Sequence, residues 1–378
     1  MAIAVISEFN PFHNGHKYLL NTAKSIAGEP VIAVMSGSFT QRGEVALTGK
    51  FERTKTALKN GADLVIELPT VYAVSNAQRF AQCGVHIAKS FGCVNYLAFG
   101  CESDNIDNLI KASTAIDDAK VKEIIRAEMK SGNYYPRAVE KAVREIFGDE
   151  IADILQKPNN ILAVEYIRSL KNSDVKPLPI MRMGTAHDSV ETSAEFASAS
   201  QIRRLLRNGD SAEKYLPEVP QNITYSENLE RATLYKLRTM SAEDIANLPD
   251  VGEGLENRIF NAVQNYNSVV EITNVVKTKR YTHARLRRIM TCALLGITEK
   301  LQTIPVEYAR VLGFNENGAD LLKSCKLEVV TSVAKAMKLG GNITTLLKKD
   351  VLATDISSLA YEKIRAKGAD YTTKIVKL

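Results

Sequence analysis

What most constrains this chain is a set of short apolar runs near its start, each followed by a segment with helical periodicity. Ala2–Ile6, Pro30–Gly37 and Asp63–Leu68 are rich in Ile, Val and Leu, and Tyr96–Gly100 is apolar throughout. Lys17–Ala27, Lys50–Asn60 and Ala77–Phe91 lie between them with apolar residues at helical spacing. Continuous rather than alternating apolar strands, separated by helices, imply a parallel sheet covered on both faces. Such sheets bind ligands beyond the carboxyl ends of their strands, where the strand order reverses. His13, Ser36, Gly37 and Gly100 stand at those ends and are expected to converge on one crevice.

Farther along, helical patterns dominate up to Pro158-Asn159-Asn160, which opens a helix over Ile161–Leu170. Leu178–Met183 predicts a fifth strand, running into the turn-rich Gly184-Thr185-Ala186-His187-Asp188. Ser200 is the expected N-cap of the helix that follows. Asn208–Gln221, with Asn-Gly-Asp and two prolines, is the expected hinge. It divides a nucleotide-handling α/β domain, 1–210, from a mainly helical basic domain, 211–378. The second domain is expected to hold helices over Ser226–Lys236, Gly254–Tyr266, Ser268–Val276 and Ala284–Leu295, and a strand near Tyr371–Val376.

Chemistry concentrates at the first strand-to-helix turn, Glu8-Phe9-Asn10-Pro11-Phe12-His13-Asn14-Gly15-His16. A helix N-terminus offers unpaired N–H groups and partial positive charge, so it attracts anions. Two imidazoles there add side-chain donors for a phosphate. Ser198, Ser200 and Arg203 open a later helix and supply more. His13-Asn14-Gly15-His16 is similar to the His-x-Gly-His pattern of the nucleotidyltransferase superfamily. Ser198-Ala199-Ser200-Gln201-Ile202-Arg203 is similar to the Ser-Ser-Thr-x-Ile-Arg run that pairs with it. Nucleotidyl transfer needs donors at the α-phosphate oxygens, and no general base when the attacker is already an anion. His13 and His16 are the candidate catalytic pair, and Ser36, Gly37 and Arg42 are candidate substrate contacts. Lys50, Arg53 and Lys55 are expected on a solvated helix face, and Asp63, at the far end of its strand, is expected to be structural.

Net charge is +6 with a pI near 8.9, which permits a polyanionic partner. The charge is densest at Lys277-Thr-Lys279-Arg280-Tyr281-Thr-His-Ala-Arg285-Leu-Arg287-Arg288, a run without an acid. Lys277, Lys279, Arg280, Arg285, Arg287 and Arg288 suit RNA phosphates, and Tyr281 is expected to stack on an unpaired base. The five cysteines are scattered, which predicts a reducing cytoplasm. The spacing of Cys83, His86, Cys93 and Cys101 fits no zinc pattern, so no metal is expected on them. No apolar stretch reaches membrane-spanning length, and no membrane partner is expected. These features leave open an adenylate-forming ligase acting on RNA, an adenylyltransferase for a phosphate-bearing small molecule, and a non-catalytic RNA-binding protein.

Beyond the superfamily signature, the chain closely resembles the bacterial tRNA(Met) cytidine acetate ligase family. The matching runs are Glu8–His16, Val34–Glu44, Ala62–Pro69, Pro158–Leu162, Glu253–Ile259, Lys277–Arg288 and Ala353–Ile356. The resemblance implies that ATP and acetate form acetyl-adenylate and pyrophosphate, and that acetyl then passes to the N4 amine of the wobble cytidine of elongator tRNA(Met). It implies an ATP site made of Ser7, Glu8, Phe9, Asn10, Pro11, Phe12, His13, Asn14, Gly15, His16, Lys17, Tyr18, Leu19, Leu20, Gly100, one of Asn159 and Asn160, and Arg182. The chain departs from the family at Leu19, where relatives often carry histidine, and at Ala186, where they often carry an aromatic. Mg²⁺ is expected to accompany ATP.

Overall fold

The computed structural model describes residues 1–103, 105–183 and 195–378. All four apolar runs are strands: β1 (Ala2–Ser7), β2 (Val31–Ser36), β3 (Leu64–Leu68) and β4 (Val94–Cys101). β5 (Lys176–Met181) pairs with β4, two residues earlier than the sequence predicts. These five are parallel and lie in the order β5-β4-β1-β2-β3. The chain steps outward from β1 to β2 and β3, then returns to the other side of β1 for β4. The order therefore reverses between β1 and β4, and the turns after those strands flank the expected crevice.

Although the runs are continuously apolar, their side chains alternate between two buried faces. Ile3, Val5, Val31, Ala33, Met35 and Val65 pack with Leu20, Ala23, Ala57 and Leu58 from the Asn14–Ala27 and Lys50–Lys59 helices. Ala4, Ile6, Ile32, Val34, Leu64 and Ile66 pack on the opposite face with Phe80, Ala81, Val85 and Ile87 of the Ala77–Ser90 helix. Gly28 ends the first helix in a left-handed conformation, φ +68°, which glycine adopts without steric cost.

Beyond residue 210 the chain is mainly helical, as expected, but it also returns to the sheet. β6 (Tyr308–Phe314) runs antiparallel to β3, and β7 (Glu328–Val330) and β8 (Val376–Lys377) pair with β6. One sheet thus draws on both sides of the expected hinge. Asn208–Gln221 is not an open linker: Ala212, Tyr215 and Leu216 are buried with Ile202, and Glu218 accepts a hydrogen bond from Thr56 Oγ1 at 3.1 Å.

A buried ionic cluster seals the junction of β3 and β6. Lys50 Nζ lies 2.8 Å from Glu67 Oε1 and 2.9 Å from Asp370 Oδ1, and Arg310 bridges the same two acids at 2.9 Å each. Lys50 and Arg53 are each 2% exposed. Their expected place on a solvated face is corrected here: partners distant in sequence pull both inside. Asp63 is structural, with Oδ2 accepting from Val31 N–H at 2.7 Å and pairing with Lys24. Among the described residues no helix is long and apolar enough to cross a membrane.

Candidate active site

The turn after β1 is anchored from below and fixed from within. Phe9 and Phe12 are buried in the sheet core, and the Phe9 and His16 rings meet in a T-shaped pair with centroids 5.0 Å apart. Phe9 has φ +46°, an uncommon conformation for a bulky residue. Asn10 Oδ1 accepts from Leu47 N–H at 2.7 Å. His13 is the N-cap of the Asn14–Ala27 helix: its Nδ1 accepts from Gly15 N–H at 3.1 Å. His16 Nδ1 reaches back and accepts from His13 N–H at 3.2 Å. The pair forms a capping box from two imidazoles, stacked 3.8 Å apart.

These bonds set the tautomers. An Nδ1 that accepts carries no proton, so a neutral ring holds its proton on Nε2. Burial, with help from Arg182 and Arg203, drives the His13 pKa down to about 3. His16 falls well below its ordinary value through burial, then the charges of His13 and Arg182. Both rings are therefore neutral Nε2–H donors at physiological pH rather than cations.

Arg53 ties the strand ends together beneath this turn. Its Nη1 donates to Glu8 C=O at 2.7 Å and Ser36 C=O at 2.9 Å, Nη2 donates to Gly37 C=O, and Nε donates to Thr48 C=O at 3.1 Å. Burial lowers its pKa to about 10, so it stays charged. A Cβ on Gly37 would sit 2.2 Å from Glu67 Oε1, so only glycine ends β2 against the ionic cluster. Ser36 is fully buried, and its Oγ meets no hydrogen-bond partner among the described residues. Arg42 is exposed in the next turn. Burial raises the Glu8 pKa, against the pull of the Gln41 amide and of Arg203 and Arg42.

Two arginines lie beside the turns after β1 and β4. Arg203 Nη1 donates to Asn10 C=O at 2.8 Å and Nη2 to Ser200 Oγ at 3.3 Å. Ser198, not Ser200, is the N-cap: its Oγ accepts from Gln201 N–H at 3.2 Å. That correction leaves the Ser200 hydroxyl facing Arg203. Arg182 N–H donates to Cys101 C=O at 3.0 Å, and its Cγ would lie 3.2 Å from a Cβ at Gly100. Asn160 Oδ1 accepts from Glu102 N–H at 2.8 Å, and Asn159 Nδ2 donates to the Glu102 carboxylate. Both asparagines thus shape the turn after β4. Asn14 Nδ2 donates to the carbonyls of Glu195 and Lys214 at 3.1 and 3.0 Å.

Arg53 thus ties the turns after β1 and β2, Arg203 meets the turn after β1, and Arg182 lies against the turn after β4. Within the Ser7–Leu20 run, Phe9, Phe12 and Leu20 face the core. Leu19 is half-buried and Lys17 exposed, and Tyr18 meets Phe196 edge-on with ring centroids 6.2 Å apart. Gly184–Asp188, including Ala186, lies outside the described residues. His86 Nε2 bonds Val306 C=O at 2.8 Å, Cys93 Sγ accepts from Ser324 Oγ at 3.2 Å, and Cys83 is buried.

The basic run forms a loop and the start of the His283–Leu295 helix, capped by Thr282. Lys277, Lys279, His283 and Arg287 are exposed. Tyr281 is 5% exposed and belongs to the core. The expectation that it stacks on a base is corrected: its ring is enclosed, with the Arg285 guanidinium over it at 5.1 Å. Acids absent from the run arrive from elsewhere. Arg288 pairs with Asp250 at 2.8 Å, Arg280 pairs with Glu253 at 2.9 Å, and Arg285 Nε donates to Asp250 C=O at 2.8 Å.

The chain is similar to known proteins in sequence and in structure. The family model for HIGH Nucleotidyl Transferase matches residues 1–371. The tRNA(Met) cytidine acetate ligase of Thermoanaerobacter sp. (strain X514) is 38% identical, covering 100% of this chain and 99% of the relative. That of Clostridium kluyveri is 36% identical, covering 95% of each. Among solved structures, Thermotoga maritima TmcAL bound with alpha-thio ATP superposes with a TM-score of 0.91 at 29% identity, covering 100% of this chain and 99% of that one. Its apo form gives 0.92.

Proposed function

Because the chain belongs to the HIGH nucleotidyl transferase family, among its tRNA(Met) cytidine acetate ligases, we propose that its histidine turn joins acetate to AMP before the acetyl group reaches RNA. The protein is an ATP-using ligase of tRNA modification. In the proposed first step an acetate oxygen attacks the α-phosphorus, the bond to the bridging oxygen breaks, and pyrophosphate leaves. In the second, the N4 amine of the wobble cytidine of elongator tRNA(Met) attacks the acetyl carbon, AMP leaves, and the amine gives up a proton.

The observation that carries this reading is the pair of neutral imidazoles whose Nδ1 atoms are held by the backbone of their own turn. Each is left with one proton, on Nε2, to donate to an α-phosphate oxygen as charge builds there. Donors fixed in advance need no reorganisation at that moment. The Asn14 N–H at the helix start, with Arg182 and Arg203, is the proposed hold on the remaining phosphate oxygens. Gly100 and the Asn159–Asn160 pair shape the adenosine side, and Ser36, Gly37 and Arg42 the acetate side.

Among the described residues no group of three or more His, Cys, Asp or Glu could hold a metal. The Mg²⁺ we propose therefore travels on the triphosphate, whose oxygens and waters supply its ligands, as is usual for this ion. Residues 1–210 are the proposed adenylation half. Residues 211–378 are the proposed RNA half, with Lys277, Lys279, Arg280, Arg285, Arg287 and Arg288 on or beside the phosphate backbone. A tRNA substrate supports a cytoplasmic location.

The test is incorporation of labelled acetate into purified tRNA(Met), followed by nucleoside analysis. Label in N4-acetylcytidine, dependent on ATP, is the expected result. Label in no nucleoside, with ATP still bound, would sink the reading.

A further inference from the structure

The turn between β2 and the Lys50–Lys59 helix touches both the histidine turn and the basic helix. Gln41 N–H donates to Glu8 Oε1 at 2.8 Å. Two residues on, Gly43 C=O accepts from Thr291 Oγ1 at 2.7 Å, on the basic helix. Gly43 has φ +74°, and a Cβ there would lie 2.7 Å from the backbone of Arg287 and Arg288. No larger residue fits so close an approach. Thr40 then pins Glu44, whose carbonyl accepts both the Thr40 N–H at 2.9 Å and its hydroxyl at 3.2 Å.

The Glu44 carboxylate is thereby set between two arginines from the two halves. Its Oε2 is 3.6 Å from Arg203 Nη2, and its Oε1 is 3.9 Å from Arg287 Nε. Both separations exceed hydrogen-bond length, so the carboxylate is held by neither guanidinium through a hydrogen bond and lies within ion-pair range of both. The side chains are 21% exposed for Glu44, 13% for Arg203 and 44% for Arg287, so solvent screens the pull only in part.

We infer that Glu44 is a positioning residue that makes nucleotide phosphates and RNA phosphates compete through the two arginines it shares. This rests on the phosphate roles proposed above for Arg203 and Arg287. When a triphosphate engages Arg203, Glu44 is left to Arg287 and opposes an RNA phosphate there. When pyrophosphate departs, Arg203 takes Glu44 back and Arg287 is released to RNA. The enzyme then favours adenylation before RNA capture, and by linkage each ligand weakens the other by the same factor.

The test is calorimetric titration of the full chain with ATP and Mg²⁺, without acetate or tRNA. Arg287→Gln leaves Glu44 wholly to Arg203 and should weaken ATP about fivefold, the low end of coupling between sites. In a Glu44→Gln background the same substitution should do nothing to ATP. Glutamine keeps the backbone contacts to Thr40, so the turn is retained. An Arg287→Gln effect equal in both backgrounds, or absent from both, overturns the inference alone. Arg203→Gln must weaken ATP in either background; if it does not, the phosphate role of Arg203 fails and the inference with it. A second readout uses tRNA affinity with and without saturating pyrophosphate. Pyrophosphate should weaken tRNA binding in the wild type and do so less in Glu44→Gln, and an equal response in the two would also overturn the inference.

Discussion

His13 and His16 take their hydrogen bonds from the backbone of their own turn, whereas Arg280, Arg285 and Arg288 take theirs from Asp250 and Glu253, outside their run. The first region is closed on itself: spacing within a few residues decides which atom faces a ligand. The second is completed only by the fold, so the composition of the run overstates its free charge. Of its cations, Lys277, Lys279 and Arg287 remain exposed, and the other three are partly enclosed or paired. A compact motif can be read for chemistry, but a charged run can be read only for tendency.

The difference can be broken at several points. The largest expected effect is at the histidine turn, where His16→Ala removes a fixed donor and should lower adenylation roughly a hundredfold or more. Single-turnover formation of acetyl-adenylate measures it, and a near-normal rate would remove His16 from the chemistry. At the basic segment the leading effect concerns stability instead. Tyr281→Ala should cost on the order of 3 kcal/mol, as for other buried aromatics, read from urea unfolding. Lost RNA affinity at unchanged stability would return Tyr281 to the RNA surface.

A smaller effect follows from the lowered histidine pKa values. Below about pH 6.5 the unfolded chain binds protons that the folded His13 and His16 refuse. Stability from His13 is thus present above the unfolded pKa and lost as pH falls towards 3, and His16 acts in the same direction. For His13 the loss should be about 1 kcal/mol per pH unit in that window. Between pH 7.5 and 5.5 the wild type should therefore lose more stability than His13→Asn, and equal losses would contradict the assigned neutral state. The smallest effect is on salt dependence. Arg287→Glu should lower the slope of log affinity for tRNA against log salt by about one unit. Arg285→Gln should change it less, because Arg285 already serves the Asp250 carbonyl.

Much of the fold was legible because β1 to β4 announce themselves in short, largely apolar runs, and the helices between them carry regular apolar spacing. The return of β6 to the edge of β3 was not legible, since a strand of one half gives no sign of its partner in the other. Lys50 and Arg53 are the sharpest case: both look like surface cations until Glu67, Asp370 and the carbonyls of Glu8 and Ser36 close around them. Phe9 and Phe12 lie in the histidine motif, yet they support the turn from the core. Ser198 and Ser200 are both good capping residues, and only the helix start at Ala199 decides between them.

The most direct measurement is acetate-dependent ATP–pyrophosphate exchange by the purified protein with no RNA present. A histidine turn that is complete in itself should support exchange that needs acetate and is indifferent to tRNA. Exchange that appears only once tRNA is added would contradict this, because the RNA would then be completing the active site.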